Sequence, residues 1–455
     1  MIESNQPRAA ELAMNYIRSL VFVGSVVCGL TAAAPLAKAT DLPFSPTQGR
    51  VAVSVPTDTT GRTLSDNFKF VPFGTSIMTL DGTSLSLTTT DMVQDIDSSD
   101  VATVVEPLAF SPNGRRMALK VWQHGYQIYI REDDAHLTWV TRNLIERVEG
   151  TSSAPYNHME VLWSPSSERL AIFSTVDQDA LISVFDGDSV RVVLTNQSGD
   201  EATVWSKDET ALIAGVYAGP NHWQMLRIPV DGGKPDTLFD AAQAIGGPVW
   251  NPAYDTLAFN VGSSVYLSDG KTAHKAFGTH VTIRSISWST DGRRLALSDS
   301  DGGVLIVQKD GQKPWMVTRW EQNKWLIPNV VWLNERQFAF IQVTSRPEAT
   351  RLYVGDVATQ SVKLAPTGDI ACTKLQAIAG GVLYFKVMSR GTWIERDRVG
   401  SEDMGGPDRS VKLDLHYWSP AYTTGIRLTR ESFDTSEDEQ DYTVYLYPKF
   451  WVSPH

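Results

Sequence analysis

An aromatic residue recurs along the middle of the chain every 38 to 53 residues, each time in the same local context. Five of these positions are tryptophan and the first is phenylalanine: Phe110, Trp163, Trp205, Trp250, Trp288 and Trp332. A large apolar residue follows six or seven positions later, and alanine comes directly after it in five of the six segments. A period of about 40–45 residues is typical of one four-stranded propeller blade. The recurring tryptophans are therefore predicted to be core residues.

Each repeat also has the local pattern of a blade. An apolar triplet precedes the aromatic residue, and turn sequences such as Ser-Pro-Asn-Gly (111–114) and Ser-Thr-Asp-Gly (289–292) follow it. A second strand containing the alanine, a third apolar strand and a more polar fourth strand come next. Strands are short, turns are frequent and no helical stripe is sustained, which indicates an all-β chain.

Further strand patterns flank these six repeats. A degenerate unit occupies residues 382–430 and contains a long insertion at 388–410, while strands are predicted at 50–56, 76–90 and 442–448. A propeller avoids open sheet edges by closing its ring, so the terminal strands are expected to complete a shared blade. We therefore predict an all-β propeller of four-stranded blades closed by N- and C-terminal strands. Eight blades are expected, or seven if the N-terminal strands lie outside the ring.

The motif aromatic-Ser-Pro-x-Gly-x-x-Leu-Ala is clearest at Phe110–Leu119, Trp163–Ile172 and Trp288–Leu297. It resembles the WD40-like repeats of exported bacterial propellers of the TolB type, over roughly residues 104–366. The resemblance implies a fold and not the role of TolB, because residues 40–100 read as strands where TolB has an α/β domain, and because the chain has more than six predicted blades. The repeats also resemble the propeller of prolyl oligopeptidases, but the Gly-x-Ser-x-Gly elbow of their hydrolase domain is not found in this sequence.

The first residues are predicted to be an export signal. An apolar run from Leu20 to Leu30 follows Arg18, and the stretch ends Ala37-Lys38-Ala39, a small-x-small pattern that suits cleavage before residue 40. Met14 offers an alternative start. The run is shorter than the roughly 20 residues that a membrane span needs. The chain is therefore expected to be periplasmic or secreted, without a membrane span after cleavage.

Four regions follow from these patterns. We predict a signal peptide at 1–39, N-terminal strands that contribute to ring closure at 40–103, propeller repeats at 104–430, and an acidic segment with a closing strand at 431–455. The whole chain has 52 acidic against 40 basic residues, which disfavours a nucleic-acid partner. Its two cysteines exclude a disulfide scaffold.

A binding face is predicted where the loops between second and third strands meet the connections between blades, because such loops vary freely while strands carry the packing. The candidate binding residues on these segments are Trp122, His124, Tyr126, Tyr156, His158, Tyr217, His222, Trp223, Trp320, Trp325, Arg346, Trp393 and Arg396. Aromatic residues with a polar edge are favoured at recognition sites. Two alternatives stay open: the tryptophans cap blade packing, or the histidines, with His280, form a metal or catalytic centre.

The sequence thus predicts an exported propeller that binds a protein, peptide or glycan partner, as a scaffold in a cell-envelope assembly. The alternative is a propeller hydrolase or lyase that uses loop histidines as bases. No motif predicts a cofactor or a metal: the sequence has no P-loop, no Gly-x-Gly-x-x-Gly and no haem-binding Cys-x-x-Cys-His. Whether the protein is an enzyme is left open.

Overall fold

A computed structural model describes residues 50–56, 73–80, 85–89, 104–122, 126–132, 137–141, 158–176, 179–196, 203–309, 314–318, 330–343, 350–370, 375–378, 380–391, 408–427, 433–438, 444–445 and 450–452. Within these ranges the regular structure is all strand, with strands β1 to β34. No helix that could cross a membrane occurs in this part of the chain.

The first four sheets, in chain order, have four strands each. Sheet 1 contains β1 (Arg50–Pro56), β2 (Phe73–Leu80), β3 (Leu85–Thr89) and β34 (Phe450–Val452). Sheet 2 contains β4 (Val104–Phe110), β5 (Arg116–Trp122), β6 (Tyr126–Glu132) and β7 (Leu137–Trp139). Sheet 3 contains β8 (His158–Trp163), β9 (Leu170–Val176), β10 (Asp179–Phe185) and β11 (Val190–Asn196). Sheet 4 contains β12 (Thr203–Trp205), β13 (Ala211–Gly219), β14 (His222–Pro229) and β15 (Asp236–Ala241).

The remaining sheets follow the same order until the last. Sheet 5 contains β16 (Ile245–Trp250), β17 (Leu257–Val261), β18 (Ser264–Ser268) and β19 (Ala273–Gly278). Sheet 6 contains β20 (Ile283–Trp288), β21 (Arg294–Asp299), β22 (Val304–Gln308) and β23 (Trp315–Thr318). Sheet 7 contains β24 (Val330–Trp332), β25 (Gln337–Val343), β26 (Thr350–Asp356) and β27 (Ser361–Leu364). Sheet 8 contains β28 (Gln376–Ile378), β29 (Gly381–Arg390), β30 (Asp408–Trp418), β31 (Ile426–Arg427), β32 (Phe433–Asp438) and β33 (Val444–Tyr445).

The chain is an all-β propeller with seven four-stranded blades, sheets 1 to 7, so the prediction of eight such blades is wrong. The difference arises in sheet 8, which has six strands. Its β29 and β30 extend into the expected insertion, and β30 is long enough to pair with two further strands along one edge. Residues 416–417 pair with β31, and residues 408–413 pair with β32. The two chain ends meet in sheet 1, where β34 pairs antiparallel with β1.

The turn between the first and second strands explains the repeated motif. In sheets 2 to 6 the residue four positions after the aromatic has a positive φ: Gly114, Ser167, Glu209, Tyr254 and Gly292. Glycine adopts this conformation without steric cost, and sheets 2 and 6 have glycine there. The alanine that follows the second-strand apolar residue is at most 1% exposed in five sheets: Ala118, Ala171, Ala258, Ala296 and Ala339. Its small side chain lets neighbouring sheets pack closely.

The recurring tryptophan joins each blade to the one before it. Its indole nitrogen donates to a backbone carbonyl of the preceding sheet: Trp163 to Ala109 (3.2 Å), Trp205 to Leu162 (3.0 Å), Trp250 to Trp205 (2.8 Å), Trp288 to Val249 (3.0 Å) and Trp332 to Ser287 (3.2 Å). All but Trp250 are buried. The predicted core role is confirmed for these four, and the hydrogen bond adds a directional contact that periodicity alone did not reveal.

An arginine six positions after the aromatic makes a contact in the opposite direction. The Nη1 atoms of Arg116, Arg169 and Arg294 donate to turn carbonyls of the following sheet, at 3.3, 2.7 and 2.9 Å. The acceptors in the first two cases are Ser167 and Glu209, which are the positive-φ residues of their turns. Neighbouring blades are thus linked from both sides.

Replacing Trp205 with phenylalanine is expected to lower the free energy of unfolding by about 1–2 kcal/mol, because the part-buried hydrogen bond from its indole to the Leu162 carbonyl is lost. Urea unfolding followed by circular dichroism measures this loss. The matched control is Trp315→Phe, since the indole of Trp315 packs edge-on against Phe338 and donates to no residue in the described ranges. An equal loss in both variants would contradict a role for the hydrogen bond.

Candidate functional site

The hairpin of β13 and β14 projects beyond its neighbour. Leu212 and Leu257 occupy equivalent positions, seven residues after their tryptophans, yet β13 continues to Gly219 whereas β17 ends at Val261. The difference of three residues corresponds to a step of about 10 Å at the rise of a β-strand. Sheet 4 therefore forms a step above the hairpin of sheet 5.

The tip of this long hairpin is shaped by unusual backbone conformations. Gly219 has φ of 147° and Asn221 has φ of 55°, conformations for which glycine and asparagine are the most tolerant residues. The pairing register shifts between Tyr217 and Gly219, so that Gly219 lies opposite His222. The strands continue up to this tip, and the residues predicted to be in a loop are in strands.

Two aromatic side chains meet near the tip, and we call them the aromatic ledge. Tyr217 and Trp223 lie directly opposite each other on β13 and β14. Their ring centroids are 5.3 Å apart and the rings are inclined at 70°, the edge-to-face geometry that aromatic pairs prefer. Trp223 also packs against the core shared with sheet 5, which includes Ile245 and Phe259. Both ledge side chains are half-buried, so each is held by the fold and still reaches solvent.

The top of sheet 5 is next to the hairpin of the ledge and is joined to the start of sheet 6. Gln243, two residues after β15, fits against Gly262, where a Cβ would lie 2.1 Å from its Oε1. The Ile283 amide, at the start of β20, donates to the Gly262 carbonyl at 3.0 Å, and the Thr279 amide donates to the Ser263 carbonyl at 2.8 Å. Tyr217 is twelve residues after its tryptophan, as is Gly262. The ledge therefore occupies the position in its sheet that the hairpin tip occupies in sheet 5.

A polar cluster occupies the other face of the same hairpin. His222 and Gln224 alternate with Trp223 along β14, and Asp240 of β15 lies opposite Gln224. The Nε2 atoms of His222 and Gln224 both lie 2.9 Å from Asp240 Oδ1. The hydrogen bonds from Gln224 and then from His222 hold the pKa of the Asp240 carboxyl below its usual value. His222 is therefore separated from the ledge.

The structure describes only part of the predicted binding face. Seven predicted residues lie outside the described ranges: His124, Tyr156, Trp320, Trp325, Arg346, Trp393 and Arg396. Three more are described only by their backbone, at strand ends: Trp122 ends β5, Tyr126 begins β6 and His158 begins β8. Of the three described in full, the structure brings Tyr217 and Trp223 together and places His222 on the opposite face. The full convergence stays a prediction.

Two polar members of the site could not be found from the sequence motif. Asp240 and Gln224 meet His222 through the register of two strands, β14 and β15, and Asp240 is 18 residues from His222 along the chain. His280 lies exposed in the turn between β19 and β20. Within the described ranges, no three or more His, Cys, Asp or Glu side chains are grouped as metal ligands would be.

No protein-family model matches the sequence, and no curated protein matches it. Solved structures do match, among them an oligogalacturonate lyase in complex with manganese, with 14% identity, a TM-score of 0.40 and coverage of 62% of this chain and 87% of that one. TolB from Acinetobacter baumannii matches with 12% identity, a TM-score of 0.36 and coverage of 64% and 75%. Oligogalacturonate lyase from Vibrio parahaemolyticus matches with 12% identity, a TM-score of 0.40 and coverage of 63% and 91%. The resemblance is one of fold.

Proposed function

We propose that this chain is an exported propeller that acts as a binding or scaffold module, and that it recognises a protein, peptide or glycan partner in a cell-envelope assembly. The observation that supports this most is the aromatic ledge. Tyr217 and Trp223 are half-buried and stand on a hairpin about 10 Å taller than its neighbour. Export is inferred from residues 1–39 alone.

The ledge suits recognition because its side chains are already fixed. The edge-to-face contact between the rings and the packing of Trp223 against the core shared with sheet 5 leave few rotamers to be lost when a partner binds. Ordering of side chains is one of the main costs of association, and rigid aromatic groups reduce it. Tryptophan and tyrosine are also enriched among the residues that carry most of the binding energy.

The proposed partner contacts more than the ledge. It buries the exposed edges of both rings and contacts the hairpin tip of sheet 5 at Ser263 and the connection from sheet 5 to sheet 6 at His280. The remaining residues of the predicted face, such as Trp320 and Arg346, would extend this surface around the ring. The partner is held without covalent chemistry.

Trp223→Ala is expected to reduce partner binding at least tenfold, the effect typical of losing a central aromatic anchor. The tagged mature chain is used to capture partners from an envelope extract, and each protein identified by mass spectrometry is then titrated in purified form. Glycan binding is measured in parallel on a glycan array.

The matched control is Trp139→Ala, which removes a tryptophan that is 39% exposed on the outer strand β7, away from the ledge. A thermal unfolding curve of each variant separates loss of binding from loss of folding. Unchanged affinity of a folded Trp223→Ala variant for every ligand of the wild type would refute the assignment of the ledge as the binding face.

A further inference from the structure

The face of sheet 8 that packs on sheet 7 carries a row of ionisable side chains. Tyr384 and Lys386 of β29 lie opposite His416 and Asp414 of β30, and Arg427 of β31 lies on the other side of His416. Further along the same face, apolar residues of sheet 8 share one core cluster with residues of sheet 7: Val382, Trp418, Leu333, Ala339, Ile341 and Leu352. The ionisable row thus continues the surface that holds the two sheets together.

A single carboxylate, that of Asp414, offsets the positive charges in this row of side chains. Asp414 is fully buried, and its Oδ2 lies 2.8 Å from Arg427 Nε while its Oδ1 accepts from Arg427 Nη2 at 3.1 Å. The ion pair thus consists of one hydrogen bond, from Arg427 Nη2 to Oδ1, and a close approach of Nε to Oδ2. Lys386 is the cross-strand neighbour of the same carboxylate. Asp414 therefore faces two cations.

His416 lies next to this pair and is 5% exposed. No hydrogen bond of normal geometry reaches either of its ring nitrogens or the hydroxyl of Tyr384 in the described ranges, and the Gly425 backbone is a polar group close to the imidazole. The ring centroids of Tyr384 and His416 are 5.7 Å apart. Gly425 closes the site, since a Cβ there would lie 2.0 Å from the Tyr384 hydroxyl and 3.4 Å from His416 Nδ1. The imidazole is therefore enclosed by Tyr384 and the Gly425 backbone.

Burial is the main cause that lowers the pKa of His416, to about 4, and the charges of Lys386 and Arg427 act in the same direction against a smaller opposing contribution from the Gly425 backbone. In the unfolded chain a histidine titrates near 6.5. Between these two pH values, a state in which His416 is exposed to water takes up a proton, whereas the folded state in which His416 is buried does not. The packing of sheet 8 on sheet 7 therefore weakens as the pH falls. Above about 6.5 neither state is protonated, and the effect is absent.

Other charged groups of this interface lie next to carboxylates of their own. Asp369, in the connection from sheet 7, forms ion pairs with Arg351 of β26 and with Arg390 of β29, the latter at 3.6 Å. Lys412 lies two residues before Asp414 on β30, opposite Asp434 of β32, and Tyr422 packs against the shared core. The charges that act on His416 itself are those of Lys386 and Arg427, and both are positive.

We propose that His416 is a proton-sensitive latch between sheets 7 and 8. When the medium becomes acidic, the imidazole takes up a proton, a third cation then faces the single Asp414 carboxylate beside Lys386 and Arg427, and the face of sheet 8 separates from sheet 7. The latch is a conformational device of the fold and does not depend on the partner that the aromatic ledge binds.

The test is hydrogen–deuterium exchange of the full mature chain at pH 7.0 and 4.5, with each rate corrected for the chemical exchange rate at that pH. Protection of β29 and β30 is expected to fall by about 50-fold at the lower pH relative to β21 and β22. In His416→Gln, which is neutral at both pH values, the relative fall is expected to be less than threefold. His280→Gln changes an exposed histidine and should behave like the wild type.

An equal relative loss of protection in His416→Gln and in the wild type would overturn the proposal. If His416→Gln does not fold, the titration midpoint of His416 in the wild type is measured by NMR instead. A midpoint well below 6.5 that coincides with the loss of protection supports the latch, whereas an ordinary midpoint near 6.5 without any loss of protection refutes it.

Discussion

Gly355→Ala is expected to lower the free energy of unfolding by about 3 kcal/mol, the upper part of the range for overpacking a core. Gly355 of β26 lies opposite Phe338 of β25, and a Cβ at Gly355 would lie 2.1 Å from Phe338 Cζ and 2.5 Å from Cε1. Phe338 is fully buried. Its ring cannot move aside, because Trp332 and Trp315 pack against it with centroids 5.5 and 5.9 Å away.

Urea unfolding of the wild type and the variant measures this loss. The control is Gly278→Ala, where the nearest atoms belong to the flexible end of the Lys275 side chain at 3.3 Å, and the expected change is within about 0.5 kcal/mol. Adding Phe338→Leu to Gly355→Ala should recover part of the lost stability, since the smaller side chain makes room for the methyl group. Equal effects of the two alanine substitutions would show that the Phe338 ring does not need the space above Gly355.

The periodic part of the fold is what the sequence predicts well. Each tryptophan of the repeat has the same packing position in successive sheets. Because every sheet needs the same residue type at that position, the tryptophan recurs at a regular spacing along the chain. The same holds for the alanine of the second strand and for glycine or a substitute at the positive-φ turn position. Phe338 comes one position early in the repeat because the turn after Trp332 is shorter, with the Leu333 amide bonded to the Gln337 carbonyl.

Sheet 8 was predicted wrongly because strand pairing there depends on contacts between distant residues. Residues 388–410 lack the motif and therefore suggested an insertion, yet β29 continues to Arg390 and β30 begins at Asp408. Which strand pairs with the far end of β30 is decided by register with β32, more than twenty residues downstream. No local composition signals such a choice.

The sequence suggests which residues belong to the candidate site, but it does not indicate how their side chains are arranged. Tyr217, His222 and Trp223 were predicted to lie in a loop, but they lie in β13 and β14, and the loop assignment concealed the alternation of a strand. That alternation puts Trp223 on one face and His222 on the other. The distinction matters for function, because it separates the aromatic ledge from the only histidine of the predicted face whose side chain is described.

Removing the buried carboxylate of sheet 8 is expected to have the other large effect. Asp414→Ala should lower the free energy of unfolding by about 3–5 kcal/mol, the range found when one partner of a buried ion pair is deleted. Without Asp414, the guanidinium of Arg427 loses both contacts and stays beside Lys386 with no compensating charge. The loss is measured by urea unfolding at pH 7, where His416 is neutral in both states and does not contribute.

A carboxylate at the surface provides the matched control. Asp356→Ala breaks the pair with Arg336, whose side chain is 53% exposed, and is expected to cost no more than about 1 kcal/mol. The double variant Asp414→Leu with Arg427→Met should be close to the wild type, because it removes both charges and keeps apolar volume at the interface. If the double variant is as unstable as Asp414→Ala, the shape of the pair and not its charge balance holds sheet 8 in place. The latch would then act through the burial of His416, which is the main cause of its lowered pKa, and the selective opening at pH 4.5 should persist in the double variant.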